Sequence, residues 1–164
     1  MADTREQDKE SLGFYRLRLD DSGVLYEIPM EPEDRQGNIQ RLKDPRIYVF
    51  ANKAETALVA YEPAYGKIPW LTGHAFTSPK GRGVPLKELF WATGIWIFRN
   101  TMYEVITGVV PPQLKRYGLY LGAMGATRQY EFNGTVMYSY DATQVPEFEE
   151  KLQALRAKAK QQEK

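Results

Sequence analysis

Cysteine is absent from the 164 residues, and histidine occurs once, at His74. The first absence excludes disulfides and thiolate-bound metals. The second means that a zinc site would have to draw its other ligands from carboxylates; no metal-ligand spacing stands out, and no metal is expected. Neither sign of charge is in excess. Lys and Arg number 22 against 21 Asp and Glu, so a net +1 gives no electrostatic reason to expect broad nucleic-acid binding. No apolar run suits a membrane: the longest, LFWATGIWIF, falls far short of the roughly 20 residues a span needs. The start, MADTREQDKE, is charged and does not read as a signal peptide.

What is present is core material. Hydrophobic residues make up 43% and aromatics 13%, enough for one domain of this length to bury a core. Residues 1–12 are polar and read as a flexible start. FYRLRL (14–19) alternates like a strand, DDSG (20–23) is a turn signal, VLYEIPM (24–30) reads as a strand, and 31–45 as a short helix or loop. RIYVFAN and ETALVAYEP form a hairpin pattern, and a further strand runs through 68–79. Leu86, Leu89, Phe90, Thr93, Trp96 and Ile97 then recur at helical spacing, with Pro85 suited to a first turn. A buried strand at 103–111 and a glycine-rich helix at 112–125 follow. The Asn133–Gly134 pair marks a final hairpin over 127–141. The domain is expected to span 13–145. Residues 146–164 read as a charged C-terminal helix or tail whose narrow stripe of Phe148, Leu152 and Leu155 needs a surface to cover it. Mixed order with one strand–helix–strand crossover predicts an α+β fold, of α/β three-layer type, with helices packed on a sheet.

The stretch TSPKGRGVPLKEL (77–89) has the look of a phosphate-cradling loop at a helix N-terminus. With its flanking elements it resembles the GNAT superfamily of acyl-CoA-dependent N-acyltransferases over roughly residues 45–141. The resemblance rests on the strand WLTGHAF, the loop Ser78-Pro79-Lys80-Gly81-Arg82-Gly83, the long helix, the strand YEVITGVV, a short helix carrying Tyr120, and the closing hairpin. It implies a mixed, mostly antiparallel central sheet with helices on both faces. It also implies that Lys80, Arg82 and Gly83 face the cofactor pyrophosphate, and that Tyr120 is the acid for the leaving thiolate. The chain departs from the family in several places. Pro85 has no N–H to donate and Lys87 carries a long side chain where the family's loop wants glycine. Gln113 replaces an Asn, and Gly125-Ala126 replaces a Gly-aromatic pair. Five residues separate Tyr120 from Gly125, one more than the family spacing, which turns a helix by roughly 100 degrees. The segment is also similar to small GNAT-like proteins of tailed phages, some of which are virion components.

Acyl transfer from a thioester to an amine needs a base, donors for the thioester carbonyl and an acid for the thiolate. His74 and Tyr120 are the catalytic candidates, His74 as base because its ordinary pKa suits neutral pH. Glu104 is a further base acting through water, or simply a solvated strand residue. Trp91, Trp96 and Phe98 read as core, or as an interface where the sheet leaves them uncovered. The lost loop donor, the shifted tyrosine and the interaction-type tail together lead to an expected non-catalytic, structural or accessory role. In that reading the chain is a tailed-phage virion component, cytoplasmic or virion-associated, with no cofactor. A protein partner or second copy would engage the C-terminal helix, the 78–87 loop or the aromatic helix. The alternative is an acetyl-CoA-dependent N-acyltransferase.

Overall fold

The computed structural model describes residues 4–17, 44–64 and 68–163. The turn at 20–23, the strand over 24–30 and all but the end of the 31–45 segment lie outside the described residues. The elements are α1 (Thr4–Leu12), β1 (Phe14–Arg16), β2 (Tyr48–Asn52), β3 (Ala57–Pro63), β4 (Trp70–Thr77), α2 (Val84–Asn100), β5 (Val105–Val110), α3 (Lys115–Ala123), β6 (Thr127–Phe132), β7 (Thr135–Asp141) and α4 (Val145–Gln162). Where the sequence suggested only a polar, loose start, Thr4–Leu12 forms a helix.

The strands make one sheet in the order β1-β2-β3-β4-β5-β7-β6. Every neighbouring pair is antiparallel except β4–β5, which is parallel. This is the mixed, mostly antiparallel α+β sheet expected. Two hairpins carry their turns in their sequence. Between β2 and β3 the Asn52 side chain accepts from the backbone of Thr56 and Ala57, each at 2.9 Å, while Glu55 takes a left-handed φ of 56°. Between β6 and β7 both Asn133 and Gly134 have positive φ, 50° and 80°, as the two-residue hairpin turn requires.

Alternation along β3 sorts two cores. Ala57, Val59 and Tyr61 face α2, and Leu58 and Ala60 face the other side with Tyr15, Ile47, Val49 and Ala51. The near-continuous apolar character of α2 has its reason here: the helix is buried between the sheet and α4. Its one deeply buried hydroxyl, Thr93, is satisfied by Tyr61 Oη at 2.6 Å and the Leu89 carbonyl at 2.8 Å. Trp91 is buried within the chain and donates Nε1–H to the Met124 carbonyl at 3.0 Å. Trp96 packs on Phe50 and Tyr48.

The C-terminal helix finds its surface inside the domain. A capping box of Asp141 and Gln144 turns the chain into α4. Phe148, fully buried, then meets α2 where Gly94 leaves room: a Cβ there would stand 3.7 Å from the ring. Leu152 is buried beside it, and Arg99 pairs with Glu149 across the two helices. Burial of Phe148 and Leu152 contributes roughly 2 kcal/mol each. Among the described residues no helix is long and apolar enough to cross a membrane, and no three acidic or histidine side chains gather as a metal site.

Candidate active site

The parallel pairing of β4 and β5 is brief. Trp70, Leu71 and Thr72 pair with Val105, Ile106 and Thr107, and there the ladder stops. Beyond it β4 runs on to Thr77 paired only with β3, and β5 runs on to Val110 paired only with β7. The strands therefore splay into a V. Its apex is tied by Thr107, whose Oγ1 lies 3.3 Å from Thr72 Oγ1 and donates to the Leu71 carbonyl at 3.2 Å. The V encloses a cavity of about 390 Å³. Its walls include Gly73, His74 and Phe76 from β4, Gly108 from β5, and Tyr117 and Leu121 from α3. The inner edges of the splayed strands present backbone groups that neither strand satisfies for the other, a ready place for an extended ligand bearing amides.

At the end of β4 the chain makes the expected loop. Pro79–Gly81 form one tight turn, held to the β2–β3 turn by Ser78, whose backbone N–H donates to the Thr56 carbonyl at 3.0 Å and whose Oγ reaches it at 3.2 Å. Gly81 is pressed so closely there that a Cβ would lie 1.9 Å from the same carbonyl oxygen. Gly83 then caps α2 with a φ of 76°, and its carbonyl accepts the first intrahelical bond, from Lys87 N, at 3.1 Å. Helix starts leave their first N–H groups without intrahelical acceptors; here Pro85 has none to offer, so those of Gly83, Val84 and Leu86 remain. Lys80 and Arg82 are exposed on the loop. The loop, the start of α2 and the open end of the V are thus brought together.

His74 is brought to the cleft wall. Its Nε2 stands 3.3 Å from Glu62 Oε2, each side chain about one-third exposed. The register explains the pair: His74 lies opposite Ala60 and Glu62 opposite Thr72, so the two are diagonal neighbours on one face. Glu62 carried no signal in sequence, because cross-strand partners are fixed only by register. Glu104 is exposed at the start of β5 and does not line the cleft.

Tyr120 lies beside the loop. Its hydroxyl donates to the Gly83 carbonyl at 2.8 Å, and Lys87 Nζ lies over its ring at 5.5 Å. It braces the loop and is not among the residues lining the cleft. The tyrosine in the cleft is Tyr117, stacked on Tyr120 with ring centroids 6.0 Å apart. The signal for it was in the sequence. The family spacing, counted back from Gly125, falls on position 121, here Leu121. Tyr117 precedes that position by four residues and so shares its helix face. Burial raises the Tyr117 hydroxyl above the ordinary tyrosine pKa and, together with Tyr117 nearby, raises that of Tyr120. Among the described residues the Tyr117 hydroxyl has no hydrogen-bond partner.

No protein-family model matches the chain, and no curated protein matches it in sequence. Solved structures do match it in fold. A mutant of the spermidine N-acetyltransferase SpeG from Vibrio cholerae superposes with a TM-score of 0.60 at 10% identity, over 81% of this chain and 95% of that one. The ribosomal-protein-S5-alanine acetyltransferase from Vibrio fischeri gives 0.59 at 14% identity, over 79% and 92%. The GNAT domain of PAT from S. lividans gives 0.62 at 13% identity, over 78% and 89%. At these identities the likeness is one of fold: the chain has the GNAT fold. It also corrects the non-catalytic, structural role expected from the sequence, since the two Vibrio chains that share the fold are described as acetyltransferases. Nothing among them points to a phage or a virion. The physical reason for the correction lies in the loop. Pro85 removes one donor, but the loop turn, the helix start and the splayed cleft are all retained.

Proposed function

We propose that the protein is an acetyl-CoA-dependent N-acyltransferase. The observation that carries the reading is the V between β4 and β5, open toward a loop that ends in a helix N-terminus. Residues here fit acetyl-CoA: an anion at the start of α2 meets the N–H groups of Gly83, Val84 and Leu86 and the ammonium and guanidinium groups of Lys80 and Arg82. Lys87, one turn into α2, adds a cation close to where Pro85 withholds a donor. When bound, acetyl-CoA supplies an acyl group activated as a thioester.

The chain's own groups do the rest. The inner edges of β4 and β5 orient an amide-bearing arm by strand-like hydrogen bonds. The apolar lining of the cleft, including Phe76 and Leu121, excludes water from the thioester. His74 accepts the proton that an ammonium acceptor must lose before it can attack, and Glu62, 3.3 Å from its Nε2, holds the imidazole in place. Tyr117 is protonated at neutral pH, as a tyrosine ordinarily is, and burial moves its pKa further up. It is therefore available as a donor to the negative charge that develops on sulfur. Tyr120 supports the loop through Gly83 and serves as a positioning residue.

The test is calorimetric titration with acetyl-CoA at low ionic strength, followed by thiol release in the presence of a panel of primary amines. A dissociation constant in the micromolar range and amine-dependent release are expected. The absence of binding up to millimolar ligand, equivalent to less than about 4 kcal/mol, overturns the reading.

A further inference from the structure

A second cavity, of about 530 Å³, lies on the β1–β3 side of the α2 N-terminus. It is bounded by the α1–β1 junction, the β2–β3 turn, Lys80, the first turns of α2 and Arg156 of α4. At this volume the half-open cavity is of small-molecule size. Phe14, Leu89 and Ala92 give it a buried apolar lining, and Val84 adds a half-exposed methyl surface.

Its polar chemistry is one-sided. Asn52 has little amide capacity left, because its oxygen accepts from Thr56 N and Ala57 N and one of its two N–H groups donates to Thr56 Oγ1, leaving a single donor. What remains is charge: Lys53, Lys80 and Arg156 against a single acid, Glu88. Arg156 Nε is bonded to Glu88 at 3.1 Å, with Nη2 only at the limit of contact, 3.5 Å from the Leu12 carbonyl. Lys53 reaches Glu10 at 2.9 Å in a pair that is 57% and 74% exposed, too solvated to hold either partner firmly. Lys80 has no ion pair among the described residues. A ligand that complements this site is anionic at one end and hydrocarbon along its body.

We propose that the cavity binds a small amphipathic carboxylate of medium chain length. The head lies among Lys53, Lys80 and Arg156, and the hydrocarbon body lies on Phe14, Val84 and Leu89. The cavity is distinct from the β4–β5 cleft but borders the anion site proposed for acetyl-CoA, sharing Lys80 and the first turn of α2 with it; its test is run without acetyl-CoA and does not depend on acyl transfer.

Hexanoate is the probe, titrated into the full-length, tag-free protein by calorimetry, with 1-hexanol and hexylamine as neutral and cationic controls. Saturable hexanoate binding is expected, with hexanol at least about tenfold weaker and hexylamine not saturating. Lys53→Glu reverses one rim charge, and Ala54→Trp obstructs the mouth from an exposed turn position. Each should weaken hexanoate by about tenfold or more. Thermal melts establish that both variants are folded; should Ala54→Trp unfold, Lys53→Glu decides alone. Hexanoate that fails to saturate, hexanol binding as tightly as hexanoate, or undiminished binding by the folded variants each overturns the proposal.

Discussion

Adding one methyl group at Gly81 tests how the loop is held. The built Cβ lies 1.9 Å from the Thr56 carbonyl oxygen, 2.5 Å from its carbon and 3.1 Å from Ala57 N. All three are backbone atoms of a tight turn, so no side chain can swing aside. In Gly81→Ala the loop has to move by about an ångström before the contact is tolerable, an overpacking cost of roughly 1–3 kcal/mol. That movement also breaks the 3.0 Å bond from Ser78 N to Thr56 O, worth about 1 kcal/mol. Together these put the destabilisation at about 2–4 kcal/mol. Gly83→Ala is the control two residues away. Its Cβ would meet nothing within 4 Å, so the cost is purely one of backbone strain: φ 76° with ψ −119° is a conformation that side-chain-bearing residues rarely adopt, costing about 1–3 kcal/mol. Urea unfolding of the three proteins, with the slope unchanged, reads both numbers. Acetyl-CoA affinity, measured alongside, should fall by tenfold or more in Gly81→Ala because the donors of the loop and helix start are displaced. If Gly81→Ala costs less than about 1 kcal/mol, the loop is not pinned by that contact and the reasoning fails.

In thiol-release kinetics, Tyr117→Phe should lower kcat by about 10²-fold with little change in KM, whereas Tyr120→Phe should act mainly on KM for acetyl-CoA. The opposite pattern would return the acid role to Tyr120. Phe148→Ala, which empties a fully buried site between α4 and α2, should destabilise by about 3–5 kcal/mol in urea unfolding; a loss under about 1 kcal/mol would mean that α4 is not docked. The hydrogen bond from the Arg46 side chain holds the Asp44 pKa down, from 3.8 to about 2. Because the folded value is depressed, the stabilisation is present above the ordinary pKa and is lost as pH falls through about 2. Carboxyl NMR titration should find that midpoint, and Arg46→Gln should return it toward the ordinary value.

How much of this was legible in the sequence depended on the range of the interaction. The β6–β7 hairpin and the long α2 were readable because a two-residue Asn-Gly turn and a helical apolar repeat are local signals. The fold followed from element order and from the loop at 78–83. The docking of α4 was not readable, since a stripe of Phe148, Leu152 and Leu155 says that a partner is needed without saying which. The Glu62–His74 pair was hidden for a similar reason: their separation in sequence becomes contact only through the β3–β4 register. The tyrosines show a third limit, that of helical phase. One residue of helical phase was enough to send Tyr120 to brace a loop and leave Tyr117 in the cleft. The sequence reading of a non-catalytic role leaned on Pro85 as a missing donor and gave too little weight to the groups that stay.

The short β4–β5 ladder gives the molecule a spine like that of an open book. The two leaves of the sheet are bound only at Trp70–Thr72 and Val105–Thr107, and their outer pages stand apart. Behind the binding sits a column of rings, Phe90 against Tyr140 at 4.9 Å and Tyr140 against Phe148 at 5.5 Å, linking α2, β7 and α4. Phe90 and Tyr140 also form part of the cleft wall, so Phe148 is the one ring of the three that stands behind the opening without lining it.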